Sequence, residues 1–228
     1  MLQKKKKFTK KEIRKDTLLT VIEKSESFFE MYRNKIYTYG LIVLIAIGGI
    51  YFYLNQRAQE NDEAGIELSR IMKLYNQGSY LEAIEGRQGS NIIGLKQIVE
   101  KYSGTENGET AKIFLANAYS LLGNYEEAQK YFEDYSGSID YFQAASLAGQ
   151  AGYEAAKGEY EEAAELYLKA SKISEINAEN PRYMLYAGIN YLNIGEKKQA
   201  KVLFTAIKRD FPNTPVITEV DNYIALAD

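Results

Sequence analysis

Four glycines, Gly78, Gly123, Gly158 and Gly195, recur at separations of 45, 35 and 37 residues, and each opens the same short pattern. The stretches are Gly78-Ser-Tyr-Leu-Glu-Ala83, Gly123-Asn-Tyr-Glu-Glu-Ala128, Gly158-Glu-Tyr-Glu-Glu-Ala163 and Gly195-Glu-Lys-Lys-Gln-Ala200. Self-similarity at a period of this size marks a stacked array of small supersecondary units, so it restricts the fold more than any other feature. Gly ends one helix in a tight turn, Tyr packs at the start of the next, and Ala lets two helices approach closely. Four residues beyond the later alanines stand Phe132, Tyr167 and Phe204, on the same helix face as the Ala. The repeating unit is a helical hairpin, and Phe211-Pro212 closes the last one.

The pattern Gly-x-Tyr-x-x-Ala-x-x-x-aromatic, preceded by Ala116 or Gly188 and by Tyr119 or Tyr191, resembles the tetratricopeptide repeat and covers Ala64 to about Asp228. The first unit departs from it. Arg87 stands where the aromatic is expected, and an insertion follows that is rich in turn residues, Gly86, Gly89, Ser90, Asn91 and Gly94. Leu95-Lys-Gln-Ile-Val-Glu-Lys101 is expected to complete its second helix.

Each hairpin leaves an apolar face that only its neighbours can cover, so the array is expected to stack into a right-handed superhelix with a concave surface lined by first helices. The resemblance places Ile113, Asn117 and Ser120, then Ala148, Gly152 and Ala155, then Arg182, Leu185 and Ile189 along that inner groove, as a protein-binding surface for extended or helical peptides. Tetratricopeptide domains that clamp a C-terminal carboxylate carry Lys four residues before an Asn in the first helix. Ile113 occupies that place before Asn117, so no such clamp is expected.

Ahead of the repeats, Ile36 to Gln56 is a run of 21 residues without a charge. At about 1.5 Å per residue it matches the roughly 30 Å hydrocarbon core of a bilayer. Tyr37 and Tyr39 sit at one end and Tyr51 and Tyr53 at the other, where amphipathic rings suit the headgroup layer. The run begins 35 residues in, exceeds a signal-peptide apolar core, and is followed by Tyr-Leu-Asn-Gln-Arg without a small-residue cleavage pattern, which reads as an uncleaved anchor. Gly48 and Gly49 form no small-xxx-small pair with Gly40 or Ala46, so the span carries only a weak helix-pairing signal.

Charge is distributed unevenly about this span. Met1 to Lys35 carries 11 Lys or Arg against 5 Asp or Glu, and the rest of the chain 17 against 26, within a net charge of −3. The basic residues Lys4 to Lys7, Lys10, Lys11, Arg14, Lys15, Arg33 and Lys35 precede the span, so the N-terminus is expected on the cytoplasmic side. An acidic bulk with a basic tip argues against nucleic acid as a partner. Within the tip, Lys10 to Asn34 places Leu18, Val21, Ile22, Phe28, Phe29 and Tyr32 at three- and four-residue steps, an amphipathic helix suited to anionic lipid or to a partner's surface, or simply a topology signal.

The chain has no Cys and no His, which excludes disulfides, thiolate or imidazole metal ligands and imidazole-based catalysis. No phosphate-binding Gly-rich loop or nucleotide fingerprint is present, so no enzyme activity, cofactor or small-molecule substrate is expected. The 20 tyrosines fall mostly at repeat packing positions and are expected in the core or hairpin seams. Glu126-Glu127 and Glu161-Glu162 lie at the starts of second helices, where carboxylates favour the helix dipole.

The order of parts resembles one family in particular, the membrane-anchored ancillary subunit of the bacterial Sec translocon, often called YfgM-like. Its most telling stretches here are Leu95-Lys-Gln-Ile-Val-Glu-Lys-Tyr-Ser-Gly-Thr105 and Ile207-Lys-Arg-Asp-Phe-Pro-Asn-Thr-Pro215. The resemblance implies a single-pass protein of the bacterial inner membrane, with 1–35 cytoplasmic, 36–56 transmembrane and 57–228 a periplasmic tetratricopeptide repeat domain. It implies partners among translocon subunits, periplasmic chaperones and their clients. A different expectation from the same architecture is a structural accessory subunit of some other membrane complex. The expected fold class is all-α: one N-terminal transmembrane helix followed by a tetratricopeptide-type helical-hairpin superhelix.

Overall fold

The structure, a computed structural model, describes the backbone of residues 10–87 and 89–227 and the side chains from Phe28 to Leu226 apart from residue 88. The basic stretch Lys4 to Lys7 lies outside the described residues, as do the side chains of Leu18, Val21 and Ile22. Among the described residues there are ten helices and no strand, only an isolated bridge between Gly86 and Ile93. Two units are distinguished, residues 1–56 and 57–228, and helix α1 (Lys10–Asn76) contributes to each.

In the first unit the described backbone is helical throughout. The apolar stretch within it is long enough to cross a membrane, and none of it is covered by protein. Leu41, Ile42, Leu44, Ile45, Ile50 and Phe52 are all exposed, and a Cβ on Gly40, Gly48 or Gly49 would meet nothing. A core helix of a soluble protein buries such residues, and among the described residues nothing in the chain covers these. Along the helix, Phe28 and Tyr32 pack with ring centroids 4.8 Å apart, and Lys35 lies over the Tyr32 ring.

The second unit is built as hairpins. The last turns of α1 pair with α2 (Tyr80–Glu85); after the insertion comes α3 (Leu95–Lys101). Then follow α4 (Glu106–Leu121) with α5 (Tyr125–Glu133), α6 (Asp140–Lys157) with α7 (Tyr160–Ala170), and α8 (Asn180–Asn193) with α9 (Lys197–Asp210), before α10 (Ile217–Ala227) covers the end. All four repeat glycines sit at positive φ, between 78° and 88°. Each is followed by a residue whose N–H donates to the carbonyl five positions back: Ser79 to Leu74, Asn124 to Tyr119, Glu159 to Glu154 and Glu196 to Tyr191. This six-to-one bond satisfies a helix-end carbonyl that would otherwise lack a partner, and only a left-handed residue at the turn permits it.

The repeat alanines Ala83, Ala128, Ala163 and Ala200 are buried, as are Phe132, Tyr167 and Phe204. Their burial divides the interior into successive clusters, one around Ile71, Leu95 and Ile98, others around Phe132, Tyr167 and Phe204. Such a layered interior is what stacked repeats produce, since each unit touches chiefly its neighbours. At the far end Val216 and Val220 fill the last cluster, so α10 closes the stack.

In the first unit of the array α2 has only six residues and stops at Gly86, at φ 89°, which leaves Arg87 outside the helix. The insertion folds back so tightly that a Cβ on Gly94 would overlap the Ile84 carbonyl. The expected helix after it forms as α3, placing Leu95 and Ile98 in the core. Thr105 then caps α4, its Oγ1 accepting from the Gly108 N–H at 3.1 Å.

Candidate functional site

First helices α4, α6 and α8, with α5 and α7, enclose an open groove of about 490 Å³. Its floor is the face of α6 that presents Ala145, Ala148, Gly149 and Gly152. Small side chains there lower the floor and let the neighbours stand above it. Ser146 holds α6 in place, its Oγ donating to the Phe132 carbonyl at 2.6 Å. At the start of α8, Asn180 Nδ2 donates to the Ser174 carbonyl at 2.7 Å and Asn177 Oδ1 accepts from the Glu179 N–H at 3.0 Å.

The walls are dominated by tyrosine: Tyr125 on α5, Tyr141 and Tyr153 on α6, Tyr167 on α7, and Tyr183 and Tyr186 on α8. Tyr125, Tyr141 and Tyr186 are exposed, while Tyr167 and Tyr183 are buried beneath them. Tyr167 and Tyr186 rings pack at 5.4 Å. Burial pushes the Tyr167 phenol up to about 12, with Tyr186 adding to it, and burial followed by the Glu179 carboxylate does the same to Tyr183. Both rings are therefore neutral at physiological pH, apolar bodies with a hydroxyl to donate. The charged members are a pair: Arg182 Nη1 lies 2.8 Å from Glu179 Oε2. The groove is aromatic, weakly polar at Asn117, Ser120 and Gln129, and nearly neutral.

Five of the nine residues expected along the inner surface line this groove together: Asn117, Ser120, Ala148, Gly152 and Arg182. Ile113 and Leu185 do not. Ile113 is buried with Ala116, Ala128 and Phe132, and Leu185 with Phe204 and Ile207, because each faces its hairpin's second helix. Ile189 packs at the edge of that last cluster, and Ala155 is half-buried outside the groove.

Tyr125, Tyr141 and Tyr186, exposed in the groove wall, depart from the expectation that the tyrosines fall mostly in core and seams, while Tyr167 and Tyr183 are core residues as expected. A sequence signal for some of them exists. Tyr141, Ala145, Ala148, Gly149 and Gly152 follow helical spacing along one face, an aromatic followed by small residues, which lets Phe132 pack closely on Gly149 and leaves open space beside Tyr141.

Comparison with protein families matches the profile described as Tetratricopeptide repeat to residues 182–214, which are α8, α9 and the turn after them. No curated protein and no solved structure matches the chain. The chain thus contains a tetratricopeptide repeat, within an all-α fold whose N-terminal apolar helix is long enough to span a membrane.

Proposed function

We propose that the protein is a membrane-anchored adaptor whose tyrosine-lined groove holds an extended or helical segment of a partner protein. The observation that carries this reading is the groove itself: six tyrosines around a floor of Ala and Gly, with exposed rings and a single compensated ion pair. Tyrosines supply large, stiff contact area at low entropic cost, and such clusters dominate binding energetics. The tetratricopeptide match supports a role in protein–protein interaction. The role needs no chemistry, because anchoring alone raises the local concentration of the binding surface near its partners.

In this reading residues 36–56 cross the bacterial inner membrane, the basic residues before them stay in the cytoplasm, and residues 57–228 face the periplasm. The positive-inside distribution of Lys and Arg supports that orientation. Partners are then translocon subunits, periplasmic chaperones or their clients, as the resemblance of the whole layout to YfgM-like proteins suggests.

Mild-detergent extraction followed by mass spectrometry tests it, comparing the full chain, a form truncated after Gln56, and Tyr141→Ala with Tyr186→Ala. Recovery of translocon subunits or periplasmic chaperones that both changes abolish is the expected result. One unrelated membrane complex at fixed stoichiometry, insensitive to the tyrosine pair, would replace the adaptor with a structural accessory subunit.

A further inference from the structure

The tyrosine groove is a trough laid along one helix. Its lining residues on α6 run from Tyr141 to Tyr153, 12 residues or about 18 Å along the axis, between walls contributed by α4 and α5 and by α7 and α8. A groove of about 490 Å³ over that length has a mean cross-section of about 27 Å². A helix with its side chains, about 10–12 Å across, presents about 80–110 Å². An extended chain, packed as in sheets, presents about 48 Å². The trough therefore takes in more than half of an extended chain but at most about a third of a helix, and it favours the extended form.

The lining also selects the kind of extended chain. Because the floor is a helix, its backbone N–H and C=O groups are spent within α6, and it offers a peptide no strand edge to pair with. An ordinary strand laid there leaves its own N–H groups with few partners. The walls offer ring faces and hydroxyls instead: Tyr125, Tyr141 and Tyr186 are exposed, and a phenol O–H donates to a carbonyl. Arg182 is matched by Glu179 at 2.8 Å, so no net charge calls for a charged ligand. Proline meets each condition. Its ring lies flat on an aromatic face, its nitrogen carries no hydrogen, its carbonyl accepts, and a run of prolines is already extended before it binds.

We propose that the occupant of the groove is a proline-rich segment of a partner protein, about six residues in the polyproline II conformation, lying along α6 between Tyr141 and Tyr153. At about 3.1 Å per residue, six residues span about 19 Å, two full turns of that helix and the length of the trough. This occupant rests on the groove being the adaptor's partner site and narrows the partner from any extended or helical segment to one class of sequence.

Fluorescence anisotropy on the full-length protein in detergent micelles tests it with three labelled peptides of about twelve residues: repeating Pro-Pro-Ala, repeating Gly-Ser-Ala, and a helix former of Ala, Glu and Lys. The Pro-Pro-Ala peptide is expected to bind at least about tenfold more tightly than either of the others, and Tyr141→Ala or Tyr186→Ala to weaken it about tenfold. Both rings are exposed, so the fold survives the changes, which unchanged far-ultraviolet circular dichroism verifies. Equal affinity for the three peptides, no binding of any, preference for the helix former, indifference to both tyrosine changes, or tighter binding of a β-1,4-linked N-acetylglucosamine tetramer would each overturn the proposal. The adaptor reading fails separately, when co-extracted partners survive the tyrosine pair. Partners that are lost with the pair, yet are not displaced by excess Pro-Pro-Ala peptide, leave the adaptor standing and overturn the proline-rich occupant.

Discussion

Phe132 on α5 rests directly on Gly149 of α6, so closely that a Cβ at Gly149 would overlap the ring. Three residues on, at Gly152, the nearest atom to an added Cβ is the Tyr167 hydroxyl at 3.5 Å, an ordinary contact. The two helical glycines on one floor therefore answer the same substitution in opposite ways. Gly149→Ala is expected to destabilise the repeat domain by about 1–3 kcal/mol through overpacking. Gly152→Ala is expected to stabilise it by about 0.4–1 kcal/mol through reduced unfolded-state entropy, while narrowing the groove. Urea unfolding of both full-length variants, followed by tyrosine circular dichroism, checks the pair.

Lys112, itself buried, ties α4 to the end of α5 within one hairpin. Its ammonium lies 2.9 Å from Glu109 and 2.7 Å from Asp134 and also donates to the Asp134 carbonyl, while Glu109 accepts from the Ser136 N–H at 2.8 Å. Burial opposes the charge on Lys112, yet the hydrogen bonds its ammonium donates to Asp134 and Glu109 outweigh it and hold the ammonium above its usual range. Removing the cation alone strands a buried carboxylate. Lys112→Met is expected to cost about 3 kcal/mol, and Lys112→Met with Glu109→Gln distinctly less, a difference that a double-mutant unfolding cycle measures.

Alkaline pH acts on the buried tyrosines with a definite sign. Tyr75, Tyr167 and Tyr183 are pushed up to about 12 from 10.0, mainly by burial. An unfolded chain releases these protons first, so their stabilising contribution is complete below pH 10 and disappears as pH rises towards 12. Absorbance titration should resolve a late tyrosinate component, and Tyr167→Phe should remove part of it and flatten the alkaline loss of stability.

Thr105 ties the end of α3 to the start of α4, accepting from the Gly108 N–H and donating to the Tyr102 carbonyl at 2.8 Å. Thr105→Ala is expected to cost about 1–2 kcal/mol and Thr105→Ser well under 1 kcal/mol, as judged by thermal unfolding.

Much of this fold is legible in single residues of the chain. The four turn glycines, the alanines five positions on and the helix from Leu95 to Lys101 need only local rules: who tolerates positive φ, who lets helices approach, and where an apolar period resumes after turn residues. The uncharged run from Ile36 to Gln56 is equally plain, since length and composition alone make it long and apolar enough for a bilayer.

The groove was legible only in part. Ile113 and Asn117 are four residues apart on one helix, yet one is core and the other lines the groove, because the second helix of the same hairpin covers Ile113. Tyr125 and Tyr160 occupy the same repeat position, but only Tyr125 stands in the groove. Backbone turns and helix ends are decided by a handful of consecutive residues, so the sequence by itself determined them. Whether a given ring is core or wall depends on the rotation of neighbouring hairpins, which partners distant in the chain set, and that only the tertiary structure decided.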